Sequence, residues 1–238
     1  MSNKRKINYI AFVIGIAVVF APPLFFYFYY INKLKTHKPL PPHYFVSDGV
    51  DSHKVNGAVV YDTIYHTVAD LELTNQLGRV VSLNKDLKDK ILVVDFFFVN
   101  CPSICPRLTK SMVLLQRAFK KNDSTIHLVS ITVNPGHDSF AVLRTYADHY
   151  GANHDHWWFL TGDKKVIYEY ARHQLFVEAT PGDGGENDFI HSQKLVLLDR
   201  DRHIRGYYDG LDSAEVKRCA DDIGLLSIER EKQQLRKH

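Results

Sequence analysis

The sequence predicts an α/β domain: a mixed sheet covered by helices on both faces. Three observations carry that prediction. The run Ile91-Leu92-Val93-Val94-Asp95-Phe96-Phe97-Phe98-Val99 is apolar and rich in β-branched and aromatic residues, as a buried central strand is. The stretch Arg107 to Lys121 spaces Leu108, Met112, Leu115 and Phe119 at helical intervals. Beyond it, strands and helices keep alternating, which implies βαβ units in one sheet.

The chain opens with Lys4, Arg5 and Lys6, and then carries no charge from Ile10 to Ile31, a run of 22 residues. At a rise of roughly 1.5 Å per residue that run spans about 33 Å, enough to cross a bilayer. It ends in Tyr27-Phe28-Tyr29-Tyr30, an aromatic belt rather than a small-residue cleavage site, and Pro22-Pro23 kinks it or marks one end of its regular helix. The expectation is one uncleaved transmembrane anchor over 10–31, behind a cytoplasmic N-terminus over 1–9. Lysines flank both ends, so charge alone leaves the orientation open. The chemistry below places the globular domain on the extracytoplasmic side. Six residues are too few for a mitochondrial leader, which favours a bacterial cell (inner) membrane. Asn32 to Gly57, with Pro39, Pro41 and Pro42, reads as an extended polar linker.

The folded domain is expected over 58–228, restarting near Thr63. Leu71 to Leu83 reads as a β-hairpin around Gly78. After the central strand and its helix, Ile126 to Val133 is a second buried strand, broken by Asn134-Pro135-Gly136. Asp138 or Ser139 caps a helix that runs to Tyr150. Trp157 to Leu160 is a third strand, and Asp163 caps a helix over Lys165 to His173. Leu175 to Glu178 reads as extended, and residues 181–188 as a Gly-rich loop. Leu195 to Leu198 and Ile204 to Tyr208 flank a second hairpin. A last helix covers Ser213 to Leu226, followed by a charged tail whose end is set at 229–238.

Composition excludes several classes. A net charge of +3 with no basic stripe gives no footprint for nucleic acid. Three cysteines are too few for a disulfide scaffold. Two of them, in Asn100-Cys101-Pro102-Ser103-Ile104-Cys105-Pro106, sit where the central strand meets its helix. A first helical turn that held both would put Cys101 and Cys105 on one face, where helix-terminal amides lower a thiol pKa. A dithiol at this junction, within this element order, describes a thioredoxin-like fold with an N-terminal β-hairpin and an inserted hairpin, preceded by one transmembrane helix.

These residues resemble the Sco/SenC family, the thioredoxin-like copper proteins needed to assemble the CuA centre of cytochrome c oxidase. The likeness rests on Val94 to Pro106 and on Asp188-Phe189-Ile190-His191-Ser192, about 86 residues beyond Cys105. Ser130 to Asp138 and Trp158 to Asp163 are also similar. Here Asn134-Pro135 stands where the family usually has Asp-Pro. The resemblance covers about residues 60 to 226. It implies that copper, as Cu(I) or Cu(II), is held by Cys101, Cys105 and His191, and that the client is subunit II of the oxidase. Other copper chaperones or thiol reductants are further partners it suggests. Two thiolates and an imidazole suit both oxidation states, and three ligands leave the metal open to transfer.

Cys101 and Cys105 also fit a redox-active dithiol. The rival reading is therefore a thiol–disulfide oxidoreductase that keeps the oxidase cysteines reduced, and whether the chain is an enzyme stays open. Thioredoxin-type enzymes use CxxC, whereas this chain has CxxxC. A structural zinc site would need a fourth ligand. His137 reads as a loop residue near the pocket, His154 and His156 as part of a polar turn, and Cys219 as a half-buried apolar residue of the last helix. Asp95, inside the central strand, demands a partner that the sequence does not name.

Overall fold

The computed structural model describes residues 12, 15, 16, 18–30, 42–55, 58–120, 125–177 and 192–235. The chain divides into two compact units, Met1–Leu40 and Pro41–His238. In the first, residues 18–30 are helical. Among the described residues no helix is long and apolar enough to cross a membrane, and the anchor expected over 10–31 lies partly outside them.

The second unit holds nine strands among its described residues: β1 (Ser47–Val55), β2 (Ala58–Tyr65), β3 (Glu72–Asn75), β4 (Val80–Ser82), β5 (Ile91–Phe97), β6 (Ile126–Thr132), β7 (Trp157–Thr161), β8 (Lys194–Leu198) and β9 (Ile204–Asp209). The helices are α1 (Ile104–Ala118), α2 (Phe140–His149), α3 (Lys164–Glu169), which runs on into a π-turn (Tyr170–Gln174), and α4 (Ser213–Leu235). Seven strands form one sheet in the order β4-β3-β7-β6-β5-β8-β9. The core strands β5, β6 and β7 run parallel, while β3 pairs with β7, and β8 with β5, in the antiparallel sense. The mixed α/β architecture is as expected, and so are both hairpins, β3–β4 and β8–β9.

All seven residues of β5 are buried, because both faces of the sheet are covered. Ile91, Val93 and Phe97 pack with Leu108, Met112 and Leu115 of α1, Leu143 and Ala147 of α2, and Val216, Cys219 and Ile223 of α4. Leu92, Val94 and Phe96 face Ile167, Tyr168 and Ala171 instead. Buried Arg202, held at φ 65, donates to the carbonyls of Leu83 (2.7 Å), Leu87 (2.6 Å) and Lys90 (2.9 Å), which pins the turn before β5 to the β8–β9 hairpin.

Four expectations change. The stretch assigned to a linker as far as residue 57 contains β1, which pairs with β2. Helix α1 starts at Ile104, so Cys101 precedes it and only Cys105 lies in the first turn. Residues 175–177 are not a strand, because the chain leaves α3 through the π-turn. Helix α4 continues to Leu235, well past Leu226, with the apolar stripe Val216, Cys219, Ile223 and Leu226 holding its first half to the sheet. The Gly-rich loop 181–188 and His191 lie outside the described residues.

Candidate metal and thiol site

Two connections that follow parallel strands, and the residues leading into β8, meet at one end of the sheet, where sites in α/β folds form. The loop after β5 carries Cys101. The turn after β6 carries Asn134 to Asp138. The residues leading into β8, which runs antiparallel to β5, bring Ser192 and Gln193 to the same end. A cavity of about 130 Å³ opens there, lined by Phe96, Phe97, Phe98, Cys101, Ile104, Cys105, Val133, Ser192 and Gln193. Its walls are mostly apolar, so charges on its sulfurs are weakly screened.

Cys101 is half-buried, Cys105 is buried, and both are free thiols. The Cys105 amide donates to Cys101 Sγ at 3.3 Å, and the Cys101 amide donates to the Phe98 carbonyl at 3.3 Å. The expected meeting of the two residues therefore occurs at the helix boundary, through the i to i+4 amide. Burial pushes the Cys101 thiol up. Hydrogen bonds from the Cys105 thiol and from the amides of Cys105, Ser103 and Ile104 outweigh it and hold the thiol below its ordinary range. Cys105 is pushed up to about 12, first by burial and then by giving its hydrogen bond to Cys101. The pair thus consists of one partly exposed sulfur whose thiolate is favoured by its hydrogen bonds and one protected thiol behind it.

The loop is braced from behind. Asp138 is fully buried and accepts from the Val99 amide at 3.1 Å and the Thr132 hydroxyl at 2.6 Å. Asn100 Nδ2 and His137 Nε2 lie 3.1 Å apart, joining the β6 turn to the residue before Cys101. Sequence reasoning offered Asp138 or Ser139 as the cap of α2. Ser139 is the cap, through the Val142 amide, and Asp138 is a brace for the cysteine loop. The signal for this role was its place in a turn that follows a parallel strand. Below the dithiol, the Thr109 hydroxyl donates to the Cys105 carbonyl at 2.9 Å and lies 2.8 Å from the Tyr146 hydroxyl.

The partner of Asp95 is Ser130, whose hydroxyl donates to Oδ1 at 2.5 Å and itself accepts from Trp157 Nε1 at 2.9 Å. Oδ2 has no hydrogen-bond partner among the described residues. Burial raises this carboxyl to about 7, against the opposing pull of Ser130.

The remaining candidates lie elsewhere. His154 is held by Asp148 (2.8 Å) and Gln76 (3.0 Å), a structural arrangement. Cys219 is buried on α4 beneath the sheet. Among the described residues, the one set of three groups close enough to share a cation is Asp199, Asp201 and His203. It lies in the β8–β9 turn, at the opposite end of the sheet from Cys101. The Asp199 carboxylate there is engaged by Arg205 at 3.0 Å.

Comparison with known proteins agrees with this architecture. A SCO1 protein homolog of Bacillus subtilis (strain 168) is 29% identical over 171 residues, covering 72% of this chain and 88% of that protein. The solved structure of BsSco, a member of the Sco family of cytochrome c oxidase assembly proteins in which a disulfide switch was identified, is 29% identical. It superposes with a TM-score of 0.59 over 70% of this chain and 96% of that one. Bradyrhizobium japonicum ScoI, solved with copper bound, shares the fold at a TM-score of 0.54 and 24% identity, over 66% of this chain and 98% of that one. The family profile described as SCO1/SenC matches residues 62–223. This chain belongs to the SCO1/SenC family.

Proposed function

We propose that this protein is a membrane-anchored copper metallochaperone, in which Cys101, Cys105 and His191 hold copper as cargo for delivery to the CuA site of cytochrome c oxidase subunit II. The observation that carries the reading is the cavity edge shared by Cys101, Cys105 and Ser192. Ser192 directly follows His191 in the chain, which supports His191 as the third ligand. Two soft sulfurs and one nitrogen form a donor set suited to copper in either oxidation state. Copper-bound ScoI supports copper as the cargo, and the oxidase-assembly role of the Sco family supports cytochrome c oxidase assembly as its destination. The anchor rests on the uncharged run 10–31, and the extracytoplasmic placement on the copper and thiol chemistry of the site.

In this reading, Cys101 is ready to bind as thiolate, and Cys105 gives up its proton when the metal takes the sulfur. Apolar walls around the pocket limit water access to the sulfurs. The Asp138 brace keeps the loop fixed, so the imidazole is the ligand free to leave during transfer.

The different ionisation of the two thiols favours a second reading, a thiol–disulfide oxidoreductase: an accessible thiolate attacks and a buried thiol resolves. The disulfide switch in BsSco points the same way. One experiment separates the two. Apo CuA domain of oxidase subunit II, oxidised or reduced, is incubated with the full chain and with His191→Ala. A chaperone loads the reduced client and loses that ability with His191. A reductase reduces the oxidised client at the same rate with or without His191, and that result alone would displace the chaperone reading.

A further inference from the structure

The β1–β2 ribbon stands apart from everything above. Residues 42–46 and 66–68 root it in the domain: the Phe45 amide donates to the Ile204 carbonyl, the Val68 amide to the Arg202 carbonyl, and Tyr44 stacks on Tyr65 at 4.1 Å. Past that root, β1 is exposed except at Gly49, and all of β2 is exposed, Tyr61 to 72%. Two strands alone are marginal in water; three or more are needed. The SCO1/SenC match begins only at residue 62, so β1 and the first half of β2 lie ahead of it.

The two edges of the ribbon differ. The β1 edge is guarded by Asp48, Asp51, His53 and Lys54 and by a bulge between Ser47 and Gly49. These are the features that block pairing at an exposed edge. The β2 edge, Ala58-Val59-Val60-Tyr61-Asp62-Thr63-Ile64-Tyr65, has one charge, no proline and no bulge. We infer that β2 pairs with β2 of a second copy of this chain, antiparallel and centred on Tyr61.

The register follows from the hydrogen-bond alternation. The His66 amide donates to the Val46 carbonyl at 3.0 Å, so Ile64, Asp62 and Val60 turn their backbone groups toward β1. Val59, Tyr61 and Thr63 turn theirs outward. Centring on Tyr61 bonds Tyr61 to Tyr61 of the second copy, and Val59 to Thr63. It sets Val60 opposite Asp62 and Ala58 opposite Ile64, so no carboxylates face each other. Centring on Asp62 would set two carboxylates face to face, which is destabilising. The product is a four-stranded sheet, β1-β2-β2-β1. Because each copy offers one open edge and one guarded edge, assembly closes at two.

The test is the protein mass of the full chain in detergent, by light scattering over a concentration series. The wild-type chain should be a dimer. Thr63→Pro removes an outward donor and no bond within the ribbon, and should halve the mass. Thr63→Val keeps the donor and should remain dimeric. Unchanged thermal melting of Thr63→Pro would establish that the domain is folded. A monomeric wild type, or a dimer that survives Thr63→Pro, would overturn the inference.

Discussion

Cys101, in the loop before α1, and Cys105, in its first turn, meet different surroundings: solvent and four hydrogen-bond donors for the first, the packed underside of α1 for the second. At neutral pH iodoacetamide should therefore alkylate Cys101 first, by about tenfold or more. Equal rates would contradict the division. Asp95 makes a prediction of opposite kind. Its folded carboxyl stays protonated up to about 7, whereas in the unfolded chain it ionises near 4. The folded state therefore holds an extra proton between those limits. The stability this gives is complete below about pH 4 and is lost as pH rises through about 7. Asp95→Asn keeps an acceptor for Ser130 and has no proton to lose. Urea midpoints of variant and parent should diverge in the variant's favour from about pH 4 to about pH 7 and stay apart above it; parallel profiles would refute the account. The sequence announced that Asp95 needed a partner. It could not name Ser130, because strand register is a product of the whole sheet.

Elements turn these residues into a site. Asp138 belongs to the β6 turn, yet it fixes the β5 loop. Asp138→Ala should leave the Val99 amide and Thr132 hydroxyl unsatisfied at a cost of about 2–4 kcal/mol. Urea melts would detect the loss, and unchanged stability would rule out the brace. Gly210, at the end of β9, allows an equally close approach. A Cβ there would run into Leu108 of α1 and meet the Gln193 carbonyl at 3.1 Å. Gly210→Ala should cost about 1–3 kcal/mol, and a thermal melt at the parent's temperature would contradict that packing. The strands and helices of the core were legible because their periodicity is strong and their caps, Ser139 and Asp163, are local signals. The β1–β2 ribbon was not. Its residues carry mixed polarity, because both faces meet water and no core imposes alternation. The start of α1 stayed open in the sequence, where helical spacing is clear only from Arg107, since only the fold decides where the first helical bond closes.

At the scale of the whole molecule, the sheet separates two poles. The parallel strands aim Cys101, Cys105 and the Ser192 end of β8 at one pole. The Arg202 and Arg205 networks lock the other, where buried Arg205 binds both Asp199 and Glu229. One end is rigid through buried charge and the other presents sulfur, which suits a carrier that must hold its scaffold still while its cargo leaves. The pole was readable from the sequence as a dithiol between strand and helix. His191, expected from the resemblance, lies outside the described residues. The measurement that tests the account most directly is copper binding by the reduced full chain, with X-ray absorption at the copper edge. The prediction is one copper per chain, bound by two sulfurs and at least one nitrogen, with the nitrogen contribution lost in His191→Ala and the metal lost in Cys101→Ser/Cys105→Ser. Copper retained by the double cysteine variant, or none bound by the wild type, would contradict it.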